Sequence, residues 1–210
     1  MQDIKELTLE GLKDILGSWN KPSFHARQIF SWVYQKRAEN FDQMSNLPFD
    51  LRAKLKEEFY LSGLRVIKVL KSGDGTEKQL FELKDGNFIE AVIIPAQKRL
   101  TGCLSSQAGC KFACRFCASG LLGFKRNLTS GEILDEISYL ERNSRDKKLT
   151  HIVFMGVGEP LDNYDNVLKA VRIINSSEAF NIAARRITIS TSGVIPGFSI
   201  PISLAKRARK

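Results

Sequence analysis

Three cysteines fall within eight positions, Cys110, Cys114 and Cys117, at C-x3-C-x2-C spacing with Phe116 just before the third. Three thiolates on one tight loop can hold three irons of a [4Fe–4S] cube, whose usual ligand is thiolate. A cube has four irons, so one keeps an open position for a small molecule. The motif therefore reads as catalytic rather than as plain electron transfer. A structural zinc site is the other reading of close cysteines, but zinc ordinarily takes four closed ligands in paired spacing. Neither His25 nor His151 completes such a pair locally.

Other polar residues stand at informative places. Gly156-Val157-Gly158-Glu159-Pro160-Leu161 has two glycines of a dinucleotide fingerprint but lacks the third, which argues against a phosphate cradle. Small residues there let backbone approach a ligand, and Glu159 would accept from an ammonium group. Ser190, Thr191 and Ser192 offer hydroxyls to carboxylate or ribose oxygens, or equally to an ordinary turn. Glu90 sits among apolar neighbours in Phe88-Ile89-Glu90-Ala91-Val92. Alternation makes it the water-facing member of a strand; turned toward a site, partial burial would raise its pKa and make it a base. On the residues alone the water-facing reading is favoured.

Elements to carry these residues are legible on either side. Residues 1–62 read as three short helices. Thr8 caps the first, which carries Leu9, Leu12, Ile15 and Leu16 and ends at Gly17. The second comes after Lys21-Pro22-Ser23 with Ile29, Phe30 and Val33 on one side, and the third opens at Pro48 in its first turn. Basic residues on their outer faces fit a small RNA-docking module, and equally a structural cap on the main domain. Residues 63–99 switch to a strand period, with Asp74-Gly75 and Asp85-Gly86 marking two hairpin turns of a three-stranded antiparallel extension. From residue 100 the pattern is strand–helix–strand–helix–strand. Thr129-Ser130-Gly131-Glu132 is a capping box ahead of Ile133, Leu134, Ile137 and Leu140. A later helix carries Val167, Leu168, Val171 and Ile174. The cysteine loop, the Gly-rich loop and the serine-rich segment each come directly after a strand, which places them at one mouth of a parallel α/β architecture.

Composition bounds the setting. The 210 residues carry 32 Lys and Arg against 23 Asp and Glu, a net charge of +9 that fits a polyanionic partner such as nucleic acid. No apolar run is long enough for a membrane span, and the polar N-terminus does not read as a signal peptide. Three of the four cysteines lie too close together for a disulfide framework, which points to the reducing cytoplasm.

Taken together, the ordered motifs resemble a known family. The three cluster cysteines with Phe116 match the radical S-adenosylmethionine (SAM) pattern C-x3-C-x-aromatic-C. The string from Cys103 to Cys110, Gly123-Phe124-Lys125-Arg126-Asn127-Leu128-Thr129, Gly158-Glu159-Pro160-Leu161 and Ser190-Thr191-Ser192-Gly193 resembles the RlmN/Cfr family of RNA methyltransferases. The resemblance is closer to the RlmN branch, which methylates C2 of adenine in 23S rRNA and tRNA, than to the Cfr branch, which acts on C8. It implies a radical SAM β/α barrel behind a helical RNA-binding domain. It also implies a [4Fe–4S] cluster on Cys110, Cys114 and Cys117, and SAM contacts at Gly158, Glu159 and Ser190, with Ser203 and Leu204 as weaker matches. In the same light Glu90 is the proton acceptor and Cys103 the cysteine that resolves a covalent protein–RNA intermediate. The implied reaction uses two SAM per turnover and an electron donor such as flavodoxin or ferredoxin, in a monomer if complete.

The pattern departs from the family in two places. The family's methyl-carrier cysteine has no counterpart, because the three ligands and Cys103 account for all four cysteines; Ala205 stands where the family has a His after Ser-Leu. About three of six β/α units are legible. The expectation is therefore an incomplete barrel, from a truncated or frame-shifted chain, that is inactive alone or serves as a non-catalytic RNA- or cluster-binding remnant.

Overall fold

The computed structural model describes residues 1–61, 63–112, 114, 117–144 and 147–194. Its centre is one mixed sheet of β1 (Arg65–Lys71), β2 (Glu77–Glu82), β3 (Phe88–Ala96), β4 (Arg99–Cys103), β5 (His151–Phe154) and β6 (Ile187–Ile189), in the spatial order β6-β5-β4-β3-β2-β1. Neighbours from β1 to β4 are antiparallel, whereas β4–β5 and β5–β6 are parallel. The two Asp-Gly turns form the hairpins as expected. Gly75 and Gly86 take φ of +84° and +81°, where a side chain would be strained, and Asp74 and Asp85 accept from the amides of Thr76 and Asn87.

Helix α1 (Leu9–Ser18) starts at Thr8, whose hydroxyl accepts from the Gly11 amide at 3.1 Å. Helix α2 (Phe24–Phe30) does not end as a plain helix but passes into a π-helical turn, Ser31–Gln35. Helix α3 (Phe49–Glu58) begins one residue after Pro48, which takes the capping position rather than the first turn. Leu12, Leu16, Ile29, Leu51 and Leu55 are fully buried and belong to the same hydrophobic cluster as the sheet.

The parallel part is wound by two helices on one side. Helix α4 (Ser130–Asn143) links β4 to β5 and opens with the predicted capping box: the Thr129 hydroxyl accepts from the Glu132 amide, and the Glu132 carboxylate accepts from the Thr129 amide. Its Ile133, Leu134, Ile137 and Leu140 are fully buried, worth about 1.5–3 kcal/mol each. The fit against β4 is close: a Cβ on Gly102 would lie 2.8 Å from Leu149 and 3.4 Å from Leu140. Helix α5 (Tyr164–Asn175) links β5 to β6. Its buried stripe is Val167, Ala170, Ile173 and Ile174, with the expected Leu168 and Val171 only half-buried.

A buried ionic cluster ties the N-terminal helices to α4. The Lys5 ammonium pairs with Asp135 at 2.6 Å and donates to the Leu61 carbonyl, and both side chains are almost wholly excluded from solvent. Asp3 lies beside it, packed so closely on α4 that a Cβ on Gly131 would fall 2.6 Å from its carboxylate. No described helix is long and apolar enough to cross a membrane.

Candidate functional site

Because β4, β5 and β6 are parallel, their C-terminal ends open on one side, the usual ligand side of such sheets. A cavity of about 320 Å³ lies there. Cys110, Cys114 and Cys117 line it from the loop after β4, Gly156, Gly158 and Glu159 from the loop after β5, and Ser190, Thr191 and Ser192 from the segment after β6. The convergence expected from their positions after strands is what the fold produces.

The cysteine loop hangs from a narrow neck. Gln107–Ala108 pairs with Arg126–Asn127 as a two-stranded clip. Just beyond it Gly109 takes φ +74°, and a Cβ there would fall 1.7 Å from the Gly123 carbonyl oxygen, so only glycine lets the two arms meet. The three thiols are partly exposed. Hydrogen bonds from the Ser119 hydroxyl and amide hold the Cys117 thiol below its ordinary pKa, which favours the thiolate a metal requires. Among the described residues no three His, Cys, Asp or Glu side chains stand close enough, as placed, to clasp a single ion. The donor chemistry nevertheless fits an iron–sulfur cluster: three thiols on one cavity wall, one already favouring the thiolate, facing a glycine-rich loop.

Glu159 is almost fully buried, with 4% of its surface exposed, and is spoken for within the chain. One carboxylate oxygen accepts from the Leu161 amide at 2.9 Å, the other from the Ser192 amide and hydroxyl at 2.6 and 2.8 Å. Burial alone would push its pKa up, but these bonds outweigh it and keep the carboxyl below its ordinary value. Glu159 thereby ties the segment after β6 to the loop after β5. The loop is locked in turn by Gln107, a residue that spacing did not single out. Its amide oxygen accepts from the Glu159 amide, and its nitrogen donates to Asn127 and Asp162, all at 2.8–2.9 Å. Gly158 has φ +103°, and a Cβ there would lie 2.5 Å from Gln107. Asp162 also pairs with Lys111 at 2.6 Å, linking this loop to the cysteine loop.

Glu90 and Cys103 share a face. Cys103 pairs with Val92, two residues from Glu90, so both side chains leave the sheet on the side opposite α4, near the C-terminal end of β4. Glu90 is part-exposed and pairs with Lys78 at 3.2 Å. Cys103 is only 9% exposed; burial pushes its thiol pKa up, partly offset by a hydrogen bond from the Met155 amide at the cavity rim. Ser105, two residues after Cys103 and fully buried, was also missed in the sequence. Its hydroxyl donates to the Glu90 carbonyl at 2.6 Å and accepts from the Val157 amide at 2.9 Å.

On the N-terminal helices three cations stand over aromatic rings: Lys36 over Trp32 at 3.7 Å, Lys54 over Trp19 at 4.6 Å and Arg52 over Phe49 at 5.9 Å. Ser203, Leu204 and Phe116 lie outside the described residues.

The chain is similar to known proteins in both its parts. Residues 2–61 match the ribosomal RNA large subunit methyltransferase N-terminal domain, and residues 104–208 match the Radical SAM superfamily. A probable dual-specificity RNA methyltransferase RlmN of Clostridium novyi (strain NT) is 46% identical over 197 residues, covering 93% of this chain and 57% of the relative. A dual-specificity RNA methyltransferase RlmN of Campylobacter concisus (strain 13826) is 44% identical over 209 residues, covering 92% and 54%. The crystal structure of a radical SAM methyltransferase from Sphaerobacter thermophilus superposes on the whole chain with a TM-score of 0.90 at 39% identity, and the chain covers 61% of it. The chain thus spans little more than half the length of these relatives. With a cluster-type cysteine loop at the mouth of its parallel strands and an RlmN-type N-terminal domain in front of them, the chain belongs to the radical SAM superfamily.

Proposed function

We propose that this chain carries the cluster- and SAM-binding part of an RlmN-type methyltransferase acting on C2 of adenine in 23S rRNA and tRNA. The observation that supports this best is the shared cavity, where the three cysteines face Gly158, Glu159 and the Ser190 segment, and whose lining residue Met155 donates its amide to Cys103. Cys110, Cys114 and Cys117 would hold a [4Fe–4S] cluster, and Gly158, Glu159 and Ser190 would contact SAM. When bound, these groups supply one-electron reduction, a methyl donor and, by reductive cleavage, a 5′-deoxyadenosyl radical. A radical is needed because C2 of adenine is electron-poor and has no lone pair with which to take a methyl group by polar attack.

The chain's own residues set the rest. Gly158, with no side chain, lets Gln107 pack directly against its backbone, and Gln107 holds the loop in place by accepting from the Glu159 amide. Glu159 keeps the Ser190 segment against the loop after β5. Glu90 would accept a proton and Cys103 would resolve a covalent adduct, a reading supported by their lying on one face of the sheet. The basic, aromatic-bearing N-terminal helices would dock RNA, with affinity that falls as salt rises. An electron donor such as flavodoxin or ferredoxin would reduce the cluster in the cytoplasm.

Anaerobic reconstitution with iron and sulfide, then addition of SAM and a reductant, tests the reading. Formation of 5′-deoxyadenosine is expected, and its absence with a fully loaded cluster would refute radical chemistry in this chain. Methyl transfer to RNA is not expected from the chain alone. Its four cysteines are the three proposed ligands and Cys103, which leaves none as methyl carrier. Unaided methylation of adenine would overturn that assignment of the cysteines.

A further inference from the structure

Glu136 lies on α4 with none of its surface exposed. One carboxyl oxygen accepts from the Ser105 amide at 2.9 Å, and the other has no partner. Among the described residues no Lys, Arg or His pairs with it. The charged or titratable groups acting on it are Glu132 and Asp135 of its own helix and, from β4, the Cys103 thiol. The first two are acidic, and none of the three supplies a positive charge. An uncompensated carboxylate in this place would be far costlier than a neutral acid.

Ser105 is a junction. Its hydroxyl joins the backbone of Glu90 on β3 to that of Val157 in the loop after β5, and Cys103 lies two residues before it. From the helix side Glu136 is its one side-chain anchor among the described residues.

We infer that Glu136 is a positioning residue that works as a neutral carboxylic acid, holding Ser105 and through it the relative places of Glu90, Cys103 and the Gly156–Gly158 loop. Burial drives its pKa well above the ordinary carboxylate range, consistent with the geometry. The neutral form also spares Cys103 a negative neighbour. The functional weight of the junction rests on the roles proposed for Glu90 and Cys103; the protonation and the holding do not.

The test uses the full chain without cluster or SAM, so it stands apart from the radical chemistry. Infrared spectra of chain labelled with ¹³C-glutamate are compared between wild type and Glu136→Gln at neutral pH. Amide hydrogen exchange at Ser105 and Val157 is measured in wild type, Glu136→Gln and Glu136→Leu. The expected result is a protonated-carboxyl C=O band present in wild type and missing in Glu136→Gln. Exchange at both amides should stay within about twofold in Glu136→Gln, which preserves a neutral acceptor, and rise about tenfold in Glu136→Leu. If Glu136→Leu does not fold, the band and the Glu136→Gln exchange decide. Absence of the band, or exchange at Ser105 that is faster in Glu136→Gln, would overturn the inference. Equal exchange at Ser105 in a folded Glu136→Leu would do the same.

Discussion

Replacing Asp3 by Asn should make the fold more stable at alkaline pH and leave it unchanged in acid. Asp3 is 3% exposed beside the Lys5–Asp135 pair. Burial, and then the Asp135 charge, raise its pKa from 3.8 to about 7 against the opposing pull of Lys5. The folded state therefore holds this proton more tightly than the unfolded chain. The stability that Asp3 contributes is complete below about pH 3.8, declines as pH rises, and is gone above about pH 7. A rise from 3.8 to about 7, at 1.36 kcal/mol per unit, sets a ceiling of about 4 kcal/mol. Asparagine keeps an oxygen for the Lys5 amide, which Asp3 accepts at 2.9 Å, and has no proton to lose. Urea unfolding of both proteins between pH 5 and pH 8.5 reads the difference directly, because other titrating groups cancel. The gap should widen with pH toward that ceiling, or by about 8–16 °C in Tm for a domain of this size. Parallel pH curves would refute the reasoning. So would an Asn variant less stable than wild type at pH 8, since Asp3 would then be the ionised partner of Lys5.

Three further outcomes test the site. Gly109→Ala, at φ +74° and facing the Gly123 carbonyl, should fold with a displaced cysteine loop and take up less iron than wild type on reconstitution, as iron per chain will report. Ser119→Ala removes the hydroxyl bond that lowers the Cys117 thiol, so Cys117 should alkylate more slowly at neutral pH in the apo chain; mass spectrometry of that peptide shows whether it does. Glu159→Gln places a donor where two amides and a hydroxyl need an acceptor and should cost about 1–3 kcal/mol. The sign in pH is opposite to that of Asp3. The lowered Glu159 carboxyl stabilises above its ordinary 4.5 and loses that contribution as pH falls through its folded value, a limb the Gln variant lacks in acid denaturation.

What was legible in the sequence came from short-range physics. The Thr8 cap, the Thr129 capping box and the two Asp-Gly turns are local patterns whose partners lie within four residues. The mouth was legible because each polar feature comes directly after a strand. The π-helical turn after Phe30 was not, because nothing in Ser31–Gln35 breaks helical periodicity. Glu90 was ambiguous because alternation says which face a residue takes but not what that face meets; here it meets Lys78 and shares its side with Cys103. Gln107, Ser105 and Glu136 were missed for one reason. Each acts through partners 15 to 55 residues away, and a buried Gln, Ser or Glu carries no spacing signal of its own. Glu136 looks like any polar residue four places after the capping glutamate until the fold turns it inward.

The neck at Gly109 and Gly123 makes the cysteine loop a cassette. Its ends are joined below the first thiol by the clip of Gln107–Ala108 with Arg126–Asn127 and by the amide of Lys125 donating to the Ala108 carbonyl. The stretch between them is topologically a closed excursion, and its length is decoupled from the strands beneath. Because closure entropy grows only with the logarithm of loop length, doubling the excursion would add about 0.6 kcal/mol. Residues could thus be inserted between Cys117 and Gly123, or the whole excursion exchanged for another, without moving the β4 and β5 ends. The pair Lys111–Asp162 is then the tie that still sets the cysteine loop against the loop after β5.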